Sequence, residues 1–156
     1  ARAARTMPRR FDSGPRRGDR QFLPEVYRAC RRGDRFFFES ERALETAGSV
    51  FVGGEDLARA FADALQIPAS GAFNVASGFC RWKDLVEAIN RHAGTKAGFV
   101  VRAAGRPGPG EYRLPQSVSR MDLSAFAAAA GFQGQQTLEE LVARFIAAER
   151  GVGVPA

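Results

Sequence analysis

The sequence is poor in the residues that build metal sites and disulfide frameworks. It contains one histidine, His92, and two cysteines, Cys30 and Cys80. Because there is neither a C-x-x-C pair nor a histidine cluster, these residues cannot supply a zinc site or a histidine-based catalytic site. Both cysteines lie in segments of helical pattern, away from the dense spacing of a secreted scaffold. We therefore expect two free, buried thiols.

Lysine is also scarce, since only Lys83 and Lys96 occur. Neither lysine follows a glycine, which excludes the phosphate-binding G-x-x-x-x-G-K-[ST] loop. Many NAD(P) oxidoreductases place a catalytic tyrosine four residues before a lysine, but Phe79 and His92 stand at those positions. No serine lies in a G-x-S-x-G nucleophile motif. By itself, the chain lacks a catalytic constellation.

Two glycine-bearing connections have the layout of a dinucleotide-binding turn without its glycine spacing. Gly53 and Gly54 lack the third glycine of G-x-G-x-x-G, and GAFNVASGFCRWKDL (71–85) offers Gly78 as its single turn glycine. We predict that both are ordinary connections from a strand to a helix. The acidic pair at 55–56 is likewise predicted to favour a helix dipole rather than catalysis.

Long apolar runs are missing as well. None approaches the ~20 residues of a membrane-spanning helix, and the first ten residues have no secretory apolar stretch. We therefore expect a cytoplasmic protein that does not enter membranes.

The positive charge is concentrated at one end of the chain. The net charge is +6, and residues 1–35 hold eleven arginines against four acidic residues. Arginine binds phosphates and carboxylates through a planar fork of donors. A nucleic-acid-binding segment is therefore a minor alternative, which a steep salt dependence of binding would reveal.

Hydrophobic periodicity divides the chain into alternating helices and strands. The final helix begins with a T-x-x-E capping box at Thr137 and Glu140, and the helix before it is capped by Asp122 or Ser124 and stops at Gly131. The predicted strands are 35–40, 49–53, 72–76 and 98–103. The earlier helices are predicted from Gln21 to a stop at Gly33, over 55–66 and over 81–94.

Strands that alternate with helices predict an α/β chain, or an α+β-like fragment, with a small mixed sheet and flanking helices. At 156 residues the chain has the length of a single domain over 1–156. Within it we predict an Arg/Gly/Pro-rich edge and loop over 1–20, an αβ body over 21–150 and a tail over 151–156.

Several segments, in this order, resemble one known family. The family's Gly-Pro loop, helix start and following strand have a counterpart in GPRRGDRQFLPEVYRACRRGDRFFF. The family's strand that precedes the motif D-[LV]-A-x-A has a counterpart in SVFVGGEDLARAFADAL. GAFNVASG resembles G-x-[YF]-N-[VIL]-x-[ST]-G, and GRPGPGEYR, SRMDLS and AAAAGFQGQQTLEELV resemble the closing elements. Together they resemble the C-terminal half of an extended short-chain dehydrogenase/reductase, in the NAD(P)-dependent epimerase/dehydratase family.

The resemblance implies a substrate-binding half whose N-terminal Rossmann core is absent from this chain. In the family, that core carries the cofactor glycines and the Tyr-x-x-x-Lys pair. We therefore expect NAD or NADP to be bound mainly by another half, either about 150 residues upstream or in a partner chain. The chain alone is expected to be inactive. The complete protein is expected to be a homodimer that acts on a sugar-like, nucleotide-linked substrate by epimerisation, dehydration or reduction.

The resemblance also implies substrate contacts at the start of the body. Gln21 and Phe22 match positions that bracket the nucleotide base and sugar. Phe36 and Phe38 match a strand beside the base, and plain core aromatics are the alternative for these two side chains.

Further implied contacts lie in the Gly/Pro-rich loop. Arg106 matches the arginine that clamps the substrate diphosphate, and an exposed, solvated loop arginine is the alternative. Glu111 matches an acidic residue that holds a ribose hydroxyl if the Pro-Gly pair before it is an insertion. The chain departs from the family where Ser49 replaces a second diphosphate arginine, and where Gln135 or Gln136 replaces a proline. These departures leave a reductase of another carbonyl or sugar open.

A non-catalytic structural or regulatory member of the same family is the second interpretation. Binding of NAD(H) without turnover would support it. Under either interpretation, half of a two-part protein is expected to expose an apolar face where the other half docks.

Overall fold

The computed structural model describes residues 22–68, 71–103 and 105–151. Gln21, the predicted edge and loop over 1–20, and the tail beyond 151 lie outside the described residues. The described elements, in chain order, are α1 (Phe22–Arg32), β1 (Arg35–Phe38), α2 (Glu41–Thr46), β2 (Gly48–Phe51), α3 (Gly54–Ala64), β3 (Gly78–Arg81), α4 (Trp82–Ala93), β4 (Phe99–Val101), β5 (Glu111–Arg113), β6 (Val118–Ser119), α5 (Ser124–Ala130) and α6 (Leu138–Glu149).

A parallel sheet of three strands lies at the centre of the larger part of the molecule. Its order is β4–β1–β5, with Phe36 opposite Phe99 on one side and opposite Tyr112 on the other. The aromatic strand β1 lies in the middle, and its three phenylalanines have no exposed surface. Short aromatic strands are stable here because helices cover the sheet.

The main core forms where α1, α4 and α6 pack with this sheet. The apolar stripes of these helices supply Val26, Val86, Ile89, Val142 and Ile146, all of them buried. The predicted capping box starts α6, where Thr137 and Glu140 bond each other's backbone N–H groups. The sequence therefore identified these three helices and their inward faces correctly.

Both cysteines are free and buried, as predicted. Burial raises the pKa of the Cys30 thiol to about 12 and that of Cys80 to about 11. Both thiols therefore stay protonated at neutral pH and serve as packing residues.

A second three-stranded sheet has the order β3–β2–β6, with β3 antiparallel and β6 parallel to β2. Here the sequence prediction was wrong: 72–76 is irregular, and the strand lies at Gly78–Arg81. The reason is tertiary pairing, since Phe51 pairs with Gly78 and Ser49 with Cys80. A Cβ on Gly78 would lie 3.3 Å from the Phe51 ring, so glycine suits this close approach.

A smaller apolar cluster lies between α3 and α5. It consists of Ala60, Phe126 and Phe132, with Phe73 and Val75 packed against it. Its outer side is open, because Phe61 on α3 and Leu65, the residue just after α3, are 66% and 85% exposed. Among the described residues, no helix has the length and apolar character required to cross a bilayer.

Candidate functional site

The loop between β4 and β5, described at 102–103 and 105–110, forms a polar site. It leaves the end of β4 and enters β5, and these two strands flank β1 on opposite sides. The chain must therefore cross the central strand between them. At the start of the loop, the Arg102 backbone N–H donates to the Phe38 carbonyl at 3.1 Å, which fixes the loop to the end of β1.

Arg102 and Glu111 close this loop with a bidentate ion pair. Arg102 Nη1 donates to Glu111 Oε1 at 2.8 Å, and Nη2 donates to Oε2 at 2.7 Å. The guanidinium carbon of Arg102 also lies 4.7 Å from the centre of the Phe37 ring. A planar guanidinium can bond a carboxylate and cover an aromatic face at the same time.

Glu111 is a strongly acidic group in this arrangement. The hydrogen bonds from Arg102 and the bond from the Gly108 backbone N–H, at 2.8 Å, lower its pKa from 4.5 to about 2. The charge of Arg35, 3.4 Å away, acts in the same direction. The Glu111 side chain is only 5% exposed. Both of its carboxylate oxygens accept hydrogen bonds from the protein's own donors.

Arg106 lies at the outer part of the same loop. Its carbonyl accepts a hydrogen bond from Arg102 Nη2 at 3.0 Å, which holds its backbone in place. The Arg106 residue is exposed. Within the described chain its guanidinium has no ion pair or hydrogen-bond partner. The loop therefore presents an unneutralised cation on an anchored backbone, which suits a phosphate or carboxylate ligand.

Among the described residues predicted from sequence, the structure brings Arg106 and Glu111 together. Arg106 lies in the loop and Glu111 at the start of β5, and Arg102 bonds both of them. Phe36 and Phe38 are fully buried in the main core, an observation that favours the alternative of plain core aromatics. Phe22 packs on Trp82, the first residue of α4, at 4.8 Å between ring centres.

Sequence reasoning missed Arg102 and Phe37. Side chains alternate across a strand, so Phe37 faces away from the side shared by Phe36 and Phe38. That period in RFFF was visible in the sequence. The pairing of Arg102 with Glu111 was not, because it depends on how the loop crosses the sheet.

A second polar cluster centres on Asp56, which is 2% exposed. Its Oδ2 accepts the backbone N–H groups of Gln135 and Gln136, each at 2.9 Å, and its Oδ1 accepts Arg59 at 2.6 Å. Burial tends to raise the pKa of Asp56, but hydrogen bonds from Ser77 and these two backbone groups, with the charge of Arg59, lower it. Asp56 thus joins α3 to the segment that enters α6.

The same cluster explains a departure from the family pattern. Proline has no N–H group, so a proline at 135 or 136 would remove one of the two backbone donors to Asp56. With glutamine at both positions, both backbone N–H donors to Asp56 are present. A cleft of about 460 Å³ lies beside the cluster, where Asp56 pairs with Arg59 and Glu55 pairs with Arg144. The fifth charged residue of its lining, Glu140, belongs to the capping box of α6.

The turn between β2 and α3 does not provide a phosphate cradle. The Gln136 amide lies over Gly53, where even a Cβ would overlap it, and the Gly53 N–H donates to Ser77 Oγ at 2.9 Å. The described residues therefore do not fit a dinucleotide at this turn.

Comparison with known proteins identifies the fold. No protein-family model and no curated protein matches the sequence. Solved structures do match, and they define the class: the chain has the fold of the C-terminal part of Rossmann-type epimerases, as the sequence predicted.

Three of these structures show the extent of the similarity. UDP-glucose-4-epimerase from Stenotrophomonas maltophila, with bound NAD and formylated UDP-arabinopyranose, matches with a TM-score of 0.61 and 16% identity, over 89% of this chain and 43% of its own. UDP-N-acetylglucosamine 4-epimerase from Bacillus cereus gives 0.60 and 20%, over 87% and 42%. The Bordetella bronchiseptica enzyme WbmG, in complex with NAD and UDP, gives 0.59 and 18%, over 89% and 42%. The chain thus spans about two fifths of the length of these proteins.

Proposed function

We propose that this chain is the substrate-binding half of an NAD(P)-dependent sugar epimerase, dehydratase or related reductase. The observation that carries the proposal is the shared fold, which occupies about two fifths of proteins whose structures hold NAD with UDP or a UDP-sugar. Identities of 16–20% leave the particular reaction open. The resemblance in sequence motifs supports the same class.

In this proposal the cofactor, NAD or NADP, belongs to another half of the protein. The turn between β2 and α3 does not fit a dinucleotide, since Gln136 fills the space above Gly53. The other half is either part of the same polypeptide or a partner chain. The homodimer, the cytoplasmic location and the inactivity of the chain alone stay predictions from the sequence.

Arg106 is the proposed ligand for the substrate diphosphate. Its exposed guanidinium has no partner in the described chain, and two parallel N–H donors match the spacing of phosphate oxygens. Arg102 and Glu111 contribute by fixing the loop. Because both Glu111 oxygens already accept hydrogen bonds, the structure favours this anchoring role over contact with a ribose hydroxyl.

The remaining predicted contacts concern the nucleotide. Gln21 and Phe22 are proposed to bracket the nucleotide base and sugar. Phe36 and Phe38 are proposed to support the site indirectly, as packed residues of β1. The loop is fixed to this strand by the hydrogen bond to the Phe38 carbonyl.

Calorimetric titration with UDP and with uridine tests the anion site. The protein should bind UDP more tightly than uridine, and Arg106→Ala should weaken UDP binding by about tenfold with little effect on uridine. Arg42→Ala is a matched control, because Arg42 is an exposed arginine on the short helix α2. Equal losses for UDP and uridine, or equal effects of the two variants, would refute the role of Arg106.

A further inference from the structure

The polar cleft beside Asp56 lies where the first two turns of α3 and of α6 meet. Its volume is about 460 Å³, which is in the size range of small-molecule sites. The described residues that line it include Gln136, Arg59 and Arg144. None of its lining residues belongs to the loop between β4 and β5. The cleft is therefore separate from the proposed diphosphate site.

Gln136 is the residue of this cleft whose side chain the fold leaves without a partner. The residue is 8% exposed, and its Oε1 is enclosed and accepts no hydrogen bond. Its Nε2 donates no hydrogen bond within the described chain either. Buried polar side chains are nearly always hydrogen-bonded. An unpaired amide in the wall of a polar cleft therefore indicates a ligand-binding group.

The side of the Gln136 amide away from the cleft offers no partner. Its Oε1 lies over Gly53, where even a Cβ would overlap it. The Gly53 N–H donates to Ser77 Oγ at 2.9 Å and is not available to the amide. The amide therefore gains hydrogen bonds only on the cleft side. Since the family that the sequence resembles has proline at 135 or 136, this amide is a feature of the present chain.

The arginines of the cleft are paired but keep unused hydrogen-bond donors. Arg59 Nη2 donates to Asp56 Oδ1 at 2.6 Å and to the Gln133 carbonyl at 2.8 Å. Arg144 Nη1 donates to Glu55. The Nε and the second Nη of each arginine make no hydrogen bond within the described chain. Because the two side chains are 33% and 47% exposed, a ligand can reach their guanidinium groups.

This pattern of groups favours an uncharged ligand. The carboxylates of Glu55, Asp56 and Glu140 line the cleft together with the two arginines. An anion would face the carboxylates, a cation would face the arginines, and either would compete with the existing ion pairs. A hydroxyl group donates and accepts, so it can bond an unused guanidinium N–H or the Gln136 amide without breaking a pair. A compound with several neighbouring hydroxyl groups uses these atoms together.

We propose that the cleft between α3 and α6 binds an uncharged polyhydroxyl compound of the size of a mono- or disaccharide. Gln136 is its central ligand-binding residue. The amide turns from Gly53 toward the ligand, where Nε2 donates to a hydroxyl oxygen and Oε1 accepts a hydroxyl proton. The unused N–H groups of Arg59 and Arg144 donate to further hydroxyl oxygens. The site goes beyond the proposed function and does not depend on it.

An NMR titration of the protein with glucose and with maltose tests this site. The side-chain amide signals of Gln136 should shift and saturate, whereas those of Gln66, an exposed glutamine just after α3, should stay in place. Gln136→Ala should weaken sugar binding by about tenfold or more, and the matched control Gln66→Ala should not change it. Gln136→Leu keeps most of the side-chain volume over Gly53, so an equal loss in this variant assigns the effect to the amide.

The other outcomes overturn the proposal at identifiable points. Saturation by inorganic phosphate, with no response to either sugar, overturns the uncharged class of ligand. Shifts that rise linearly with sugar and are equal for Gln136 and Gln66 overturn the site. Sugar binding that both Gln136 variants leave unchanged overturns the role of the amide. Arg106→Ala should leave sugar binding unaltered, and a loss equal to that of Gln136→Ala would overturn the separation from the diphosphate site.

Discussion

Replacing Asp56 by alanine tests whether one carboxylate holds the smaller cluster to α6. The side chain is 2% exposed and accepts hydrogen bonds from Gln135, Gln136 and Arg59. Alanine leaves the two backbone N–H groups without an acceptor, at about 1–3 kcal/mol for each buried donor. It also breaks an ion pair whose carboxylate is buried. Together these losses should lower the free energy of unfolding by about 3–5 kcal/mol.

Urea unfolding followed by circular dichroism measures this loss. Asp56→Asn keeps one acceptor oxygen and should lie between the wild type and Asp56→Ala. The neighbouring Glu55 is a control, because its side chain is 67% exposed and pairs with Arg144 at the surface. Glu55→Ala should therefore leave stability nearly unchanged. If the free energy of unfolding of Asp56→Ala lies within about 1 kcal/mol of the wild-type value, the proposal that Asp56 holds the smaller cluster to α6 is refuted.

The same carboxylate gives stability a dependence on pH. The pKa of Asp56 in the folded chain lies below its ordinary value of 3.8. Its contribution is therefore complete above pH 3.8, and it is lost as the pH falls through the folded pKa. The stability difference between the wild type and Asp56→Asn should narrow as the pH falls below about 4. A difference that stays constant from neutral to acidic pH would contradict the assignment.

Three further predictions concern the turn, the loop and the core. Gly53→Ala should force the Gln136 side chain out of its place and lower the free energy of unfolding by about 1–3 kcal/mol, measured by thermal unfolding. An unchanged melting temperature would contradict the overlap between a Cβ at position 53 and the Gln136 side chain. An NMR titration of Glu111 should give a pKa of about 2, and Arg102→Met should move this pKa toward the ordinary value of 4.5. The same pKa in the wild type and in the variant would argue against the ion pair. Phe38→Ala should cost about 3–5 kcal/mol in the absence of any ligand, and a loss that appears only on UDP binding would indicate a contact with the base instead.

The helices of the main core were predictable because their information is local. In α4 the apolar residues repeat at helical spacing and Gly94 ends the helix in the left-handed conformation at φ 72°. In α6 the capping box fixes the first turn. These features act within a few residues of each other. The sequence therefore specifies them before any tertiary contact forms.

The short strands were harder, since tertiary pairing decides them. The strand β5 lies in a Gly/Pro-rich stretch that predicts a loop, but Glu111–Arg113 pairs with Arg35–Phe37. Conversely, 72–76 has a strand pattern and no partner among the described residues. Local pattern alone does not show which extended segment finds a neighbour.

The candidate site was predictable only in part, because it also depends on tertiary contacts. The resemblance led to Arg106 and Glu111, which the structure connects through Arg102. It did not reveal that Glu111 is committed to Arg102, and it did not decide between a base contact and the core alternative for Phe36 and Phe38. These facts depend on the crossing of the loop over the sheet, which is a property of the assembled fold.

The most direct test of the central claim is turnover of a UDP-sugar by the two halves together. Turnover should require both this chain and an NAD(P)-binding half, with UDP-glucose and UDP-N-acetylglucosamine as the first substrates. Arg106→Ala should raise KM more than it lowers kcat, because the proposed contact is with the diphosphate and not with the reacting carbon. Turnover by this chain alone, or an assembled protein that neither converts a UDP-sugar nor binds UDP, would contradict the account.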